Sequence, residues 1–537
     1  MSIKESGSVL TLTVFLSGAV LMALEMVGSR ILAPTFGSSI YIWGALIVVV
    51  MAALTLGYYV GGRIADRFPD LLAIGLILAA AGTFIGFLPF WTNRVNFLCG
   101  QLEPRAGSLL AAFAFFFLPS ILLATISPYA VKLSSHNLSN LGNTAGRLSA
   151  LSSVGSVLGT LVTSFFLIPL TGVRNIIHGL GLILLLLACL IFFRKTVAPS
   201  TAAGRRLRWL SRAAFILSLI VIVLLLTTWR SGLLRSPGRT DGVLYQKDSL
   251  YNHLVVTQSG SLRYLKFDNS LQSGINVNKP LDQVFRYTSF LHLGVVAKPQ
   301  PARVLFIGLG GGSAPVKFLH DYPSLQAVDV VEIDPEVVKV ARDFFALPED
   351  PRLRVITQDG RLFVEHAARA VARGEVAPYD LVVIDAYSSS TIPYHLTTLE
   401  FLQAVRKTLA PDGAVVSNII GALAGPHSGL LRAMVRTFRA VFPQHYIFPV
   451  YGWYGADDTA EQNIIVIATM DPQYREKAVW QKQAEELYAE NLIAEDVPSY
   501  ARALIDDPRV TQGEWLTGGL LLTDDYAPVD TLKHPLL

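Results

Sequence analysis

Seven runs of mostly apolar residues crowd the first 230 positions of this 537-residue chain: 9–32, 41–62, 71–91, 108–132, 148–171, 175–193 and 213–229. Each comes close to the roughly 20 residues that a helix needs to cross the hydrocarbon core of a bilayer. Such runs fold as helices in lipid, because only structures that satisfy their own backbone hydrogen bonds are tolerated there. Composition agrees. Hydrophobic residues make up 52% and charged residues 16% of the chain, with a mean hydropathy of +0.46, whereas ordinary soluble domains carry about 25% charged residues.

The charges divide the chain in two. Residues 1–240 hold 18 Lys and Arg against 5 Asp and Glu, leaving 26 basic and 35 acidic residues for the remainder. The basic charges sit at the ends of apolar runs and form no continuous face, so they read as topology determinants and not as a nucleic-acid surface. The loop "RKTVAPSTAAGRRLRWLSR" at 194–212 is the most basic and is expected to face the cytoplasm by the positive-inside rule. A single crossing at 213–229 would then put everything after residue 230 on the other side, in conflict with the cytosolic chemistry inferred below. Pro119 and Pro128 mark the run 108–132 as one that can be broken or re-entrant. Glu25 and Arg30 interrupt the first run, and ionisable groups in lipid are candidate functional residues. The two cysteines, Cys99 and Cys189, allow neither a disulfide framework nor a cysteine metal site. The ten histidines show no ligand spacing, so no metal is expected. The apolar run after "MSIKESGSVLTL" is too long for a signal peptide and reads as a retained first span.

Beyond "RSPGRTDG" the texture changes. Residues 243–278 alternate apolar and polar with turns at "SGS" and "DNS", the pattern of a small antiparallel sheet. From 303 to about 470, fully apolar strands alternate with amphipathic helices, as in a sheet covered on both faces. The expected architecture is a multi-span α-helical membrane domain fused to a small antiparallel β-sheet and a doubly wound α/β domain, Rossmann-like and class I methyltransferase-like. The expected boundaries are 1–232 for the membrane domain, 243–300 for the small substrate-side sheet, 301–470 for the catalytic domain and 471–537 for a helical tail.

The chemistry concentrates at "VLFIGLGGGSAP". Gly308, Gly310 and Gly312 follow a strand and precede a helix, where glycine permits positive φ and lets a ligand approach the bare backbone. The spacing is not the dinucleotide fingerprint, because Ser313 occupies the sixth position. The next strand ends in Glu332, placed to accept both hydroxyls of a ribose. The third ends in Asp359, placed to accept from an adenine amino group, and the fourth in Asp385. Open α/β sheets bind ligands at the carboxyl ends of their strands, so these features point into one nucleoside site.

With "LYQKDSLYNHLVV", "LKFDNSLQSG", "RVLFIGLGGGS", "VVEIDPEVV", "DPRLRVITQDGRLFV" and "YDLVVIDAYSS" in this order, residues 244–470 resemble the spermidine synthase family of aminopropyltransferases. The membrane runs, "LEMVGSRILAP", "LGYYVGGRIADR" and the late "LTDDYAPV" resemble the membrane-fused members of that group in bacteria. The resemblance implies decarboxylated S-adenosylmethionine as co-substrate, a diamine or polyamine acceptor, no metal and a homodimer. It implies an integral protein of the bacterial inner membrane, in contact with the lipid bilayer and with its soluble half in the cytoplasm. It assigns Glu332 to the ribose, Asp359 and Gly360 to the adenine, Gln272 to the cofactor side, and Asp385 to readying the attacking amine. Tyr251, Asn252, Tyr287 and Ser388 fall on the substrate side.

The departures are specific. Gly311 stands where the family loop has an aspartate, and Ser388 stands in place of a second one. Asn252 replaces a glutamine, and Tyr287 a glutamine or histidine. Asp524 and Asp525 are candidates either to cap a loop or to reach the amine pocket. Two other functions fit the same residues: a methyltransferase using intact S-adenosylmethionine, and a polyamine transporter or sensor regulated by its nucleoside fold.

Overall fold

The computed structural model describes residues 3–36, 40–135, 140–194, 202–230, 242–388, 391–451, 457–493, 497–506 and 518–533. The chain forms two compact units. The first holds the N-terminal helices together with the segment Lys247–His253, and the second runs on from Leu254, with Gly242–Gln246 added. Parts of the basic loop 194–212 and of the junction before residue 242 lie outside the described residues.

Among the described residues of the first unit, seven helices are long and apolar enough to cross a membrane: Ser8–Ala33, Tyr41–Arg67, Leu71–Phe90, Arg105–Ser134, Leu141–Leu167, Val173–Phe193 and Trp209–Thr227. They match the seven apolar runs, most extending a few residues further. The proline-bearing run is a broken helix. It proceeds from Pro104 to Ser134 through a π-helical turn, Phe113–Phe117, and a break at Thr125. A second π turn, Thr163–Leu167, also stands two positions before a proline, residue 169. Proline lacks the N–H that would reach back four residues and crowds that carbonyl, so the preceding turn widens. Small residues set the packing of the first and fifth helices: a Cβ on Gly155 would stand 2.1 Å from the Phe15 carbonyl oxygen.

The second unit contains two sheets. Strands β1 (Val243–Asp248), β2 (His253–Ser259), β3 (Leu262–Phe267), β4 (Ser270–Asn276) and β5 (Lys279–Gln283) lie in sequence order, and β2 to β5 pair antiparallel. The fifth strand extends this sheet past the expected end at 278. Strands β6 (Arg303–Ile307), β7 (Ala327–Glu332), β8 (Leu353–Thr357), β9 (Tyr379–Ile384), β10 (Leu409–Gly421), β11 (Gln444–Pro449) and β12 (Gln462–Thr469) form the larger sheet in the order β11-β12-β10-β9-β6-β7-β8. The five strands from β10 to β8 are parallel, while β12 runs antiparallel to both its neighbours. Strand β11 and the helix Gly429–Val441 before it are additions to the elements expected from sequence.

Central burial follows from the apolar strands. In β6, Val304 and Phe306 pack into one core with Phe318 and Val328, while Leu305 and Ile307 pack into another with Val364 and Val382. Both faces are covered, as a parallel sheet requires. The tail joins these cores and is not solvated throughout: Trp480, Val497 and Leu504 are buried in the first, Leu522 and Val529 in the second.

Candidate active site

Strand order reverses between β6 and β9, since β7 and β8 continue to one side and β10 to the other. Crevices at such a switch point take the ligand in open α/β sheets. The glycine turn and Asp385 meet there. Gly308 holds φ +100°, and a Cβ on it would stand 2.2 Å from the Asp385 carbonyl oxygen. Only glycine satisfies both demands. The Gly308 amide donates to the Val331 carbonyl at 2.9 Å, and the Asp385 amide donates to the Ile307 carbonyl at 2.9 Å, so the turn is locked to both flanking strands. Gly310 and Gly312 also have positive φ, and Gly312 opens the helix Ser313–Asp321.

Glu332 closes β7 beneath this turn. Its carboxylate accepts from the Leu309 amide at 3.1 Å and the Asp334 amide at 2.9 Å. Burial dominates those bonds and pushes its pKa up to about 7. The acid is thereby fastened to the glycine turn while each oxygen keeps acceptor capacity for a further donor. Asp359 caps the helix Gly360–Ala372 by accepting from the Leu362 amide at 3.0 Å, and its other oxygen lies 3.2 Å from His395 Nε2. A Cβ on Gly360 would stand 2.7 Å from Ile307 Cγ2, so that helix start presses on the end of β6. Gln272 lies on β4, its carbonyl oxygen 3.9 Å from where a Cβ on Gly310 would stand.

Asp385 sits just beyond β9 with both oxygens engaged. Tyr287, on the short helix Arg286–Phe290, donates its hydroxyl to Oδ2 at 3.2 Å, and Asn418 on β10 donates Nδ2 to Oδ1 at 2.9 Å. Burial raises the Asp385 pKa above the ordinary carboxylate value, and the two donors pull partly against that rise. Asn418 is itself held: Asn463 on β12 donates to its Oδ1 at 3.0 Å. The Tyr387 hydroxyl bridges the Asn418 carbonyl at 3.0 Å and the Ile420 amide at 2.9 Å. A partly buried carboxylate with a raised pKa and fixed orientation can take a proton from a neighbouring group. Ser388 forms a small bridge with Thr391, its amide 2.9 Å from the Thr391 carbonyl oxygen.

The structure thus gathers Gly308, Gly310, Gly312, Glu332, Asp359, Gly360, Gln272, Asp385, Tyr287 and Ser388 within one unit. Tyr251 and Asn252 belong to the other unit, where the Asn252 carbonyl accepts from the amide and hydroxyl of Ser249. Asp524 pairs with Arg361 and accepts from Thr398 Oγ1 at 2.7 Å. Asn418, Asn463, Tyr387 and His395 escaped sequence reasoning. For Asn418 the signal was present, a buried polar residue inside the apolar strand "GAVVSNII". Among the described residues no group of three His, Cys, Asp or Glu is placed to hold a metal ion.

Strand order, glycine turn and acidic strand ends define a Rossmann-like α/β fold of the kind shared by methyltransferases and spermidine synthases. The spermine/spermidine synthase domain pattern matches residues 284–451. The polyamine aminopropyltransferase of Vibrio vulnificus is 30% identical over 297 residues, covering 54% of this chain and 91% of that one. The chain belongs to the polyamine aminopropyltransferase family. Putrescine N-methyltransferase 1 of Nicotiana tabacum is 29% identical over 209 residues, 38% of this chain and 52% of its own length. The crystal structure of a probable spermidine synthase from Corynebacterium glutamicum superposes with a TM-score of 0.41 at 18% identity, covering 53% of this chain and 97% of that chain.

Proposed function

We propose that this protein is a polyamine aminopropyltransferase that moves the aminopropyl group of decarboxylated S-adenosylmethionine onto putrescine or a related amine. The observation that carries the reading is Asp385, half-buried at the switch point, oriented by Tyr287 and Asn418 and abutting the glycine turn. The electrophile is a carbon bonded to a sulfonium, already activated, so the protein supplies alignment and a free amine lone pair. An alkyl ammonium titrates near the lysine value of about 10.4, and little of it is neutral at neutral pH. Asp385 takes the amine proton as the nitrogen–carbon bond forms. The carbon–sulfur bond breaks, its electron pair staying on sulfur, and methylthioadenosine leaves as a neutral thioether. Glu332 accepts the ribose hydroxyls, and Asp359 with Gly360 borders the adenine. Tyr287 and Ser388, with Gln272 on the cofactor side, line the reacting groups.

The helical unit is proposed to sit in the bacterial inner membrane with the soluble half in the cytoplasm, where both substrates arise, and the protein to act as a homodimer. The test is product analysis. Purified protein with decarboxylated S-adenosylmethionine and an amine should release methylthioadenosine, and Asp385→Asn should keep binding the nucleoside while turnover falls by about 10²–10⁴. S-adenosylhomocysteine from intact S-adenosylmethionine would make the protein a methyltransferase instead. Full activity in Asp385→Asn would remove the assignment of that residue.

A further inference from the structure

The first unit contains a cavity whose lining includes neither Asp385 nor any residue assigned to the nucleoside. It measures about 270 Å³ and its polar lining is Ser29, Arg30, Ser164 and Tyr251, with Trp43 and aliphatic side chains closing the rest. Its walls come from the end of the first helix, the start of the second, the end of the fifth and the segment Lys247–His253. Successive spans alternate in direction, so these pieces share one end of the bundle. The cavity therefore lies at the level where a spanning helix leaves the hydrocarbon, the depth at which Trp and Tyr concentrate.

The charge inside it is a guanidinium. Arg30 donates to the Leu250 carbonyl and, among the described residues, forms no ion pair. The carboxylate in its field, Asp248, is committed elsewhere, accepting from His253 Nδ1 and from the Val173 amide at 3.3 Å. A guanidinium carries five donors in a planar fork that suits two oxygens of one anion. Ser164 adds a hydroxyl at the same wall, whereas Ser29 donates its own to the Met26 carbonyl at 3.0 Å. Outside the polar wall the flanking helices expose apolar side chains, Trp43 and Ile47 on the second and Phe165 on the fifth, at 40%, 50% and 68% exposure. The volume is well above the roughly 30 Å³ share of a single water in the liquid.

We propose that this cavity binds the phosphate group of an anionic phospholipid, with Arg30 as the anchoring residue, the Ser164 hydroxyl as a supporting donor and the acyl chains lying along the exposed apolar flank. A free phosphate shares the same recognition chemistry but would leave that flank unused.

The full-length protein, stripped of lipid in neutral detergent, is titrated with phosphatidylglycerol and with phosphatidylcholine of the same chains, and bound lipid is counted by native mass spectrometry. One phosphatidylglycerol should bind about tenfold or more tightly than phosphatidylcholine, the scale of one charge-assisted contact. Arg30→Gln should lose that preference, and so should Ser164→Leu, which fills the cavity and leaves Arg30 in place. Arg30→Lys should keep most of the preference, which keeps the test decisive if Arg30→Gln fails to fold. Arg94→Gln, at an exposed arginine at the same end of the bundle, should change nothing. Equal binding of the two lipids, an undiminished preference in folded Arg30→Gln and Ser164→Leu, or an equal loss in Arg94→Gln would overturn the site. Displacement of the lipid by millimolar inorganic phosphate would overturn the lipid as its occupant.

Discussion

Binding of the nucleoside should depend on pH through Glu332. Burial lifts this carboxyl to a midpoint of about 7, so the protonated form dominates below that value and the ionised form above it. Two ribose hydroxyls need an acceptor that is ionised. Affinity should therefore be full above pH 7 and fall as the pH drops through it. Going from about pH 8 to about pH 6 cuts the ionised fraction from roughly nine-tenths to roughly one-tenth, which weakens binding about tenfold, or about 1.4 kcal/mol. A glutamate at its ordinary value of 4.5 would leave affinity flat over the same interval. Methylthioadenosine serves as an unreactive ligand for titration calorimetry. Repeating the titration at pH 6 in buffers of different ionisation heat should reveal release of nearly one proton on binding. Glu332→Gln should bind more weakly by roughly 1.5–3 kcal/mol at pH 8 and show no slope. A flat wild-type profile, or the same slope in Glu332→Gln, would refute the reasoning.

Asn418→Ala removes one of the two donors that pull the Asp385 pKa down, so the acid limb of kcat/KM should move to higher pH; an unmoved limb would deny Asn418 a positioning role. Gly308→Ala forces a Cβ to 2.2 Å from the Asp385 carbonyl oxygen at φ +100° and should cost roughly 2 kcal/mol or more of stability, read by thermal melting together with loss of nucleoside binding. A cysteine placed at the exposed Val376 should resist a membrane-impermeant thiol reagent in intact cells and react after lysis; labelling from outside would mean that the basic loops report the sidedness correctly.

Much of this fold was legible because the informative residues are local. The strands β6, β7 and β9 are apolar runs ended by glycine or acid, and the seven long helices announce themselves by length. Strand β5, "KPLDQ", is short, polar and largely exposed, and carries neither signal. Strand β11, "QHYIFP", begins polar and ends in proline, and its identity rests on pairing with β12. The site divides the same way. Glu332 and Asp385 stand at strand ends, where sequence order alone suggests a ligand. Asn418 reaches Asp385 only because β10 lies beside β9 in the register Ser417 to Ile384, a relation set by sheet order. Asp524 meets Arg361 across 163 positions of sequence, which no local pattern foretells.

The neutral residue at 311 shows how such nonlocal packing shapes the chemistry. An aspartate there, as the family loop has, would bring its Cβ to 2.7 Å from Ser273 Oγ and 2.8 Å from Phe345 Cδ1. Ser273 belongs to β4, and Phe345 is buried in the core of the small sheet with Leu254, Val256 and Leu265. That packing crowds the position, so restoring the carboxylate there requires the Ser273 and Phe345 side chains to move. The amide of Ser388, at the other departure, is bonded to the Thr391 carbonyl. With both positions neutral, Asp385 is the carboxylate that remains beside Tyr287 and Asn418. An amine approaching it meets hydroxyl and amide groups where two further acids would otherwise share its charge. Removing the Asp385 charge should therefore slow transfer and weaken the hold on the amine, whereas binding of the nucleoside should persist.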